Sequence, residues 1–263
     1  MLPQDRKNKI LEILRDKQAF KTSEFIDTFK VSNETIRRDL EDLEQQKRLV
    51  RVHGGAIPVV EYPVQELNFM KRSEIYIEEK QEIAETVMHF IKEQDCIAMD
   101  VSTTNTEIAK KLVTTFDKLT ILTNSIEIMM ILSQNPNFSI IVPGGILRNE
   151  ELAIVGDIAE TGVSQFNIHL FLMSISGISL QSGLTDYGFG EVVLKKKIHK
   201  NSKQTLIVAD HSKFKQVAFQ KICNIDQVDG IITDSGIDKA ITEVYEEAGV
   251  RVIHEGNVAK INE

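Results

Sequence analysis

Seven short apolar runs, separated by helical patterns, occupy most of the chain from Asp95 onward. They read CIAMDVS, LTILTN, FSIIVPGG, LFLMSISGI, TLIVADHS, GIITD and VRVIHE. Strands that are apolar throughout are usually buried on both faces, and strands that alternate with helices usually lie parallel in one sheet. We therefore predict an α/β fold for this part of the chain, with a mainly parallel sheet covered by helices on both sides.

The amino-terminal part of the chain shows a different pattern, of three short helices and a hairpin. The second helix is predicted over Thr22 to Phe29, and the third follows in VSNETIRRDLEDLEQQKRL with Ser32 as its cap. In the third helix Ile36, Leu40 and Leu43 recur at positions i, i+4 and i+7, so they form one apolar stripe. We expect this stripe to face the core of a small domain.

The opposite face of the third helix is polar. At about 100° per residue, four side chains point away from the stripe: Glu34, Thr35, Arg37 and Arg38. A charged helix face is usually only solvated, but a recognition helix enters the major groove of DNA with its first turns. After this helix, residues 50–56 read as a hairpin, in which Arg51 and His53 would meet phosphate or the minor groove.

Two breaks in the pattern set the predicted domain boundaries of the 263-residue chain. Pro58 and Pro63 interrupt any helix in a stretch without periodicity, and a long helix is predicted after it, over Ser73 to Ile91. We predict a DNA-binding domain at residues 1–57, a linker at 58–72 and an effector-sensing α/β domain at 73–263.

The charge is unevenly divided between these parts. The net charge of −8 would repel DNA. However, residues 1–58 carry 12 Lys and Arg against 10 Asp and Glu, which leaves 19 against 29 for the remainder. Only the amino-terminal part is therefore expected to tolerate a phosphate backbone over a broad face.

Other sequence features exclude several classes of protein. No run of eighteen apolar residues occurs, so neither a secretory signal nor a membrane span is predicted, and we expect a cytoplasmic protein. Cys96 and Cys223 lie beside apolar runs and are predicted to be buried thiols. The six histidines show no ligand spacing, so we predict no metal and no cofactor.

Polar and small residues follow several of the predicted strands, where α/β sheets bind their ligands. Backbone N–H groups and hydroxyls at a helix start cradle anions, and Arg148 or Lys213 would offset phosphate charge. Each residue alone is more often a cap, a turn or a solvated side chain, but their joint placement indicates a site for a phosphorylated polyol. The residues are Asp100, Ser102, Thr103, Thr104, Thr123, Asn124, Gly144, Gly145, Arg148 and Lys213.

The words VSNETIRRDLEDLE and RVHGGA, in this order and spacing, resemble the signature of the DeoR family of bacterial transcription repressors. The resemblance implies a winged helix-turn-helix whose third helix reads DNA. One departure is Gln46-Lys47-Arg48-Leu49, where the family commonly has a glycine before the leucine, which is expected to cost a little strain in the turn. The predicted DNA contacts are Ser32, Asn33, Glu34, Thr35, Arg37, Arg38, Arg51, His53 and Gly54.

The rest of the chain resembles a DeoR-type sensor domain, which is similar in fold to ribose-5-phosphate isomerase and coenzyme A transferases. Family members commonly respond to sugar phosphates. The matching residues add Glu191 and Lys195 to the predicted effector site. Two departures are Ser102, where the family usually has glycine, and Ile168-His169-Leu170, where it has Ala-Asp-Lys. The missing acid leaves the identity of the effector, and the response to it, open.

Together these features predict a repressor of a sugar-metabolism operon that a phosphorylated sugar releases from double-stranded operator DNA. Operator symmetry favours a homo-oligomer, a dimer or a tetramer. One alternative is a phosphosugar isomerase-like enzyme, with Asp100 or Glu191 as its general base. Another is a DNA-binding protein without small-molecule control. A fused DNA-binding domain has no use in a plain enzyme, which favours the regulator.

Overall fold

The chain divides into two compact units, Met1–Glu61 and Tyr62–Glu263. The computed structural model describes residues 3–16, 20–46, 48–52, 55–58 and 69–258. Most of the predicted linker, residues 59–68, lies outside the described residues.

The amino-terminal unit contains three helices and a small antiparallel sheet. The helices are α1 (Pro3–Asp16), α2 (Thr22–Phe29) and α3 (Asn33–Gln45), and the strands are β1 (Phe20–Lys21), β2 (Leu49–Val52) and β3 (Gly55–Pro58). The sheet order is β1-β3-β2, with β2 and β3 paired as a hairpin. Lys30 adopts a left-handed conformation, with φ of 51°, in the turn between α2 and α3. Two helices joined by a tight turn and followed by a strand pair are the predicted winged helix-turn-helix.

The core of this unit is built by the predicted stripe of α3. Ser32 caps the helix, since its Oγ accepts the N–H of Thr35 at 3.2 Å, and Ile36, Leu40 and Leu43 are fully buried. Asp39 is buried beside them, which no pattern in the sequence indicates. The Arg6 Nε donates to the Asp39 carboxylate at 2.5 Å, and both side chains are under 10% exposed. A buried ion pair therefore joins α1 to α3.

Removing one partner of this pair should destabilise the unit strongly, because an isolated charge is left in the core. We expect Asp39→Ala to lower the free energy of unfolding around α3 by about 3–5 kcal/mol. The control is Asp42→Ala, which removes the exposed ion pair to Lys7 and should cost less than about 1 kcal/mol. Hydrogen exchange of the α3 amides measures both changes in the free energy of unfolding. Equal effects of the two substitutions would show that burial of the Arg6–Asp39 pair does not add to stability.

The carboxy-terminal unit is larger and contains both strands and helices. Its strands are β4 (Cys96–Met99), β5 (Thr120–Thr123), β6 (Ser139–Ile141), β7 (Ile146–Arg148), β8 (Ala153–Val155), β9 (Ile168–Ser174), β10 (Gly177–Ser179), β11 (Gly183–Asp186), β12 (Ser202–Val208), β13 (Gln220–Cys223), β14 (Gly230–Ile232) and β15 (Val252–Ile253). Its helices are α4 (Phe69–Ser73), α5 (Ile77–Val87), α6 (Thr103–Thr115), α7 (Ile126–Leu132), α8 (Asp157–Val163), α9 (Phe189–Lys200) and α10 (Lys239–Glu247).

Seven of these strands form one parallel sheet, in the order β15-β14-β12-β9-β4-β5-β6. Each of the seven apolar runs of the sequence supplies one strand. Alternate residues of β9 enter different cores: Phe171 and Met173 pack on one face of the sheet, and Leu170 and Leu172 on the other. Both faces are therefore buried, and the predicted α/β class is confirmed.

Three details differ from the predictions. The single helix expected over Ser73 to Ile91 is interrupted, because Tyr76 adopts a left-handed conformation (φ 54°, ψ 40°) between α4 and α5. Two small antiparallel sheets, β7-β8 and β10-β11-β13, were not anticipated, since strands of three or four residues carry almost no periodicity. Cys223 is buried as predicted, but Cys96 is only half-buried.

Over the described ranges, no helix is both long and apolar enough to cross a membrane. In the same ranges, no group of three or more His, Cys, Asp or Glu side chains is placed to hold a metal ion.

Candidate functional site

The outer face of α3 carries the predicted DNA contacts. The side chains of Arg37 and Arg38 are 53% and 74% exposed, and both guanidinium groups bond to Glu34, at 3.2 and 3.3 Å. The hydrogen bond and charge of Arg37, reinforced by Arg38, lower the pKa of Glu34. Glu34 therefore stays ionised and orients both arginines on the first turns of the helix.

The remaining predicted contacts are distributed around this face or beyond it. Asn33 is exposed at the helix start, and the hydroxyls of Ser32 and Thr35 lie 2.9 Å apart. Arg51 lies in β2, where only the backbone is described, and His53 and Gly54 lie outside the described residues.

A cleft of about 680 Å³, counted out to open solvent, lies at the carboxyl ends of three neighbouring strands, β12, β9 and β4. This is the edge at which the sequence placed the ligand site. Polar side chains and the segment before α5 form most of its wall. Its lining is Arg72, Ile75, Tyr76, Lys80, Val101, Ser102, Thr103, Thr104, Glu151, Ser174, Ile175, Ser176, Asp186, Glu191, Lys195, Val208, Ala209, Asp210 and Lys213.

The floor of the cleft is an ion cluster around Lys195, which is 3% exposed. Its ammonium bonds to the carboxylate of Asp186, lies 3.1 Å from Asp100 and donates to the Ser174 carbonyl at 2.9 Å. Burial alone would lower the pKa of Lys195, but the two carboxylates raise it well above its ordinary value. All of its hydrogen-bonding capacity is used inside the protein, so Lys195 holds the floor together.

The two carboxylates of the cluster differ in their environment. Burial raises the pKa of Asp100, although Lys195 and Ser174 partly oppose it. Burial acts on Asp186 too, but Lys195 and the Ser176 hydroxyl outweigh it, and the pKa of Asp186 is lowered. Asp100 lies beneath the lining, where it accepts the N–H of Ser174 at 3.0 Å, whereas Asp186 reaches the cleft itself.

The charge of Arg148 is neutralised by an ion pair within the protein. Its Nη1 lies 2.9 Å from Glu191 Oε1, and it is absent from the lining of the cleft. Burial raises the pKa of Glu191, and the charge of Arg148 opposes that shift. Of the two cations considered for phosphate, Lys213 alone faces the cleft.

One end of the cleft is positive and only partly neutralised; we call Ser102, Thr103, Thr104 and Lys213 the anion end. Ser102 caps α6, where its Oγ accepts the Asn105 N–H at 3.0 Å, and this leaves the N–H groups of Thr103 and Thr104 without an acceptor among the residues described. The Lys213 ammonium has no hydrogen bond or ion pair within the described chain. Its charge lowers the pKa of the neighbouring Lys80. A positive charge and N–H donors that have no acceptor among the described residues therefore line the same cleft.

Besides Asp100 and Arg148, four further predicted effector residues support the structure and do not line the cleft. Asn124 accepts the Val101 N–H at 3.1 Å, and the Thr123 hydroxyl accepts the Ser125 N–H at 3.2 Å. Gly144 and Gly145 lead into β7. Gly145 has φ of 153°, and a Cβ there would lie 2.6 Å from the Val155 carbonyl, so the hairpin requires glycine.

The position of the missing family acid also lies away from the cleft. His169 is the second residue of β9, at the amino end of the strand, where its Nδ1 lies 3.4 Å from Asp95. Leu170 is buried in the core. Neither residue lines the cleft, so the substitution leaves the lining unchanged.

Sequence reasoning missed several lining residues. Asp210 lies at the end of the apolar run TLIVADHS, but neither it nor Arg72 was assigned to the site. Lys80, Glu151 and Asp186 gave no local signal, because a charged residue in a helix or turn is usually solvated.

Two family models cover most of the chain. Residues 75–235 match the DeoR C-terminal sensor domain, and residues 6–60 match the DeoR-like helix-turn-helix domain. The chain belongs to the DeoR family. This DeoR-family chain is therefore a DNA-binding transcriptional regulator with a sensor domain.

Curated relatives extend over nearly the whole chain. The transcriptional regulator YulB of Bacillus subtilis is 36% identical over 96% of both chains. The glycerol-3-phosphate regulon repressor of Escherichia coli is 31% identical over 94% of this chain and 97% of its own length. The repressor AccR of Agrobacterium fabrum is 33% identical over 93% of this chain and 94% of its own. All three are regulators, which confirms the prediction of a regulator over an enzyme.

A distant structural likeness joins the DeoR-family chain to ribose-5-phosphate isomerase A of Neisseria gonorrhoeae. The TM-score is 0.40, with 14% identity over 55% of each chain. A likeness this distant has no bearing on function.

Substituting Lys195 and Lys213, two of the three lysines that line the cleft, should distinguish a lysine that holds the structure from one that has no partner among the described residues. We expect Lys195→Met to lower the free energy of unfolding by about 3–5 kcal/mol, because two buried carboxylates lose their partner. Lys213→Met should cost less than about 1 kcal/mol, since no described contact is lost. Urea denaturation followed by circular dichroism measures both. A mild effect of Lys195→Met would show that the cluster does not hold the floor.

Proposed function

We propose that this DeoR-family regulator is a repressor of a sugar-metabolism operon, which binds operator DNA through α3 and is released by a phosphorylated sugar or polyol. The observation that carries the proposal is the anion end, where a lysine that has no partner among the described residues lines the same cleft as the N–H groups of Thr103 and Thr104. The DNA-binding and sensing roles of individual residues are part of the same proposal.

The DNA contact rests on the two faces of α3. The stripe of Ile36, Leu40 and Leu43 is buried, which leaves the first turns of the opposite face free to enter a major groove. Arg37 and Arg38 are exposed there, and arginine is the commonest donor to guanine edges and phosphates. Ser32, Asn33, Glu34 and Thr35 complete the contact, and Arg51, His53 and Gly54 supply the wing.

The phosphate site rests on charge and donor geometry. A phosphate dianion needs several N–H and O–H donors and positive charge nearby. The Lys213 ammonium supplies positive charge to the cleft, and the N–H groups of Thr103 and Thr104 supply donors at the amino end of a 13-residue helix whose dipole favours anions. An ordinary neutral sugar would leave this charge unsatisfied.

Other residues of the cleft lining suit hydroxyl groups. Asp186, Glu191 and Ser176 are among them, and carboxylates accept hydrogen bonds from sugar hydroxyls. A buried carboxylate that accepts such a bond would discriminate against a ligand that lacks the hydroxyl group, because the carboxylate would be left unpaired. The name of the Escherichia coli relative refers to the glycerol-3-phosphate regulon, and glycerol 3-phosphate unites a phosphate with hydroxyl groups.

Release from DNA requires coupling between the sites. A homo-oligomer, a dimer or a tetramer, would bring two copies of α3 to the half-sites of a symmetric operator. An effector that favours a different arrangement of the copies lowers DNA affinity by the coupling free energy, typically about 1–3 kcal/mol.

The DNA contact is tested by Arg38→Ala. Loss of one well-placed arginine contact should weaken specific DNA binding about 10-fold to 100-fold, equivalent to 1–3 kcal/mol. The control is Gln45→Ala, an exposed residue at the far end of α3, which should bind like the wild type. Fluorescence anisotropy with a duplex selected by the full-length chain measures both, at several salt concentrations. Unaltered binding by Arg38→Ala, or affinity independent of salt, would exclude α3 as the principal phosphate-facing element.

The phosphate site is tested by thermal unfolding with pairs of sugars and polyols, each with and without phosphate. A ligand at 100 times its dissociation constant should stabilise the wild type by about 2.7 kcal/mol, and only phosphorylated compounds should do so. Lys213→Met should reduce that stabilisation, whereas Lys239→Met, at an exposed lysine of α10, should not. Absence of any response across the pairs would favour a DNA-binding protein without small-molecule control.

A further inference from the structure

A short segment before α5 closes one side of the cleft; we call residues 69–76 the strap. Phe69 is buried against Val101, Ala153 and Val155. The Arg72 guanidinium lies 2.5 Å from Glu151 and 5.8 Å from the centroid of the Phe69 ring. The strap follows residues 62–68, so it is the part of the cleft wall that lies nearest in sequence to the amino-terminal unit.

The strap ends in a strained turn. Tyr76 is not glycine, yet it has φ of 54° and ψ of 40°, a left-handed conformation that costs free energy for residues with a side chain. It persists only where surrounding contacts hold it. The carbonyls just before the turn are therefore important for the shape of the strap.

Lys80 supplies that contact. Its ammonium, on a side chain that is 4% exposed, donates to the carbonyls of Arg72 and Ile75 at 2.5 and 2.6 Å. Both accepting carbonyls precede the turn in the chain. One buried ammonium therefore holds two carbonyls of the strap in place. An ammonium has three N–H groups, and in the described chain no acceptor meets the third.

Lys80 lines the cleft together with the residues of the anion end. Burial lowers the pKa of Lys80, Asp210 opposes the shift, and the charge of Lys213 lowers the pKa further. Two lysines thus lie close enough to repel each other, and neither has a carboxylate within ion-pair distance among the residues described. A phosphate dianion between them would remove this repulsion.

We propose that Lys80 binds the effector phosphate with its third N–H and that, because the same ammonium holds the carbonyls of Arg72 and Ile75, phosphate binding stabilises the strap. This inference rests on the proposed function, which places a phosphate at the anion end. Coupling is reciprocal, so an ordered strap also raises phosphate affinity. The strap is then the first element through which an occupied cleft acts on the chain leading to the amino-terminal unit.

The test is hydrogen exchange of the strap amides in the full-length chain, with inorganic phosphate as the probe and potassium chloride at equal ionic strength as its control. In the wild type, phosphate should slow exchange in residues 69–76 by about fivefold or more. This measurement needs no substitution, so it decides the proposal even if a Lys80 variant does not fold.

Three variants separate the roles of the lysines. Lys80→Met should weaken phosphate binding by about 10-fold to 100-fold, as expected for a charge-assisted hydrogen bond, and should speed strap exchange without phosphate. Lys213→Met should weaken phosphate binding but leave strap exchange without phosphate as in the wild type. Lys239→Met should match the wild type in both.

The outcomes distinguish the two proposals. If phosphate binds the wild type and strap exchange does not change, the coupling is wrong and the proposed phosphate site stands. Strap exchange in Lys80→Met that equals the wild type, or that still responds fully to phosphate, also overturns the role of Lys80. If the wild type binds neither inorganic phosphate nor any phosphorylated sugar or polyol, both proposals fail.

Discussion

The buried ammonium of Lys195 joins three segments of the carboxy-terminal unit at the floor of the cleft. Asp100 follows β4, Ser174 ends β9 and Asp186 ends β11, and all three contact Lys195 on α9. Without this charge two carboxylates would face each other in the core, which is expensive at low dielectric. The cluster therefore fixes the ends of separate strands at one place and defines the floor of the cleft.

The cations around the cleft divide into two groups according to how their charge is used. Lys195, Arg72 and Arg148 are each matched by a carboxylate inside the protein. Lys213 has no partner in the described chain, and Lys80 is held only by carbonyls. Charge that is already neutralised shapes the site, whereas charge that is not neutralised attracts a ligand. The second group lines the same cleft as the start of α6, which supports the proposal of a phosphate there.

The amino-terminal unit has a very small core and presents charged side chains on its outer face. Three aliphatic side chains of α3 and the Arg6–Asp39 pair supply the inner contacts. Glu34 then holds Arg37 and Arg38 on the outer face before any DNA is present. Side chains that are already oriented lose less conformational entropy on binding.

The sequence by itself determined the local elements and the family. Periodicity located α2, the stripe of α3 and all seven strands of the main sheet, because apolar side chains must repeat with the helix or fill the interior of a two-faced sheet. The same reasoning found the edge of the sheet where Ser102, Thr104 and Lys213 lie. Only the tertiary structure decided which charges are free. Arg148 is neutralised by Glu191, Lys195 by Asp100 and Asp186, and Lys80 reaches the cleft from a helix with an ordinary polar pattern. The partners of these charges lie between 5 and 95 residues apart in sequence, and electrostatic pairing depends on distance in space, which no local pattern records.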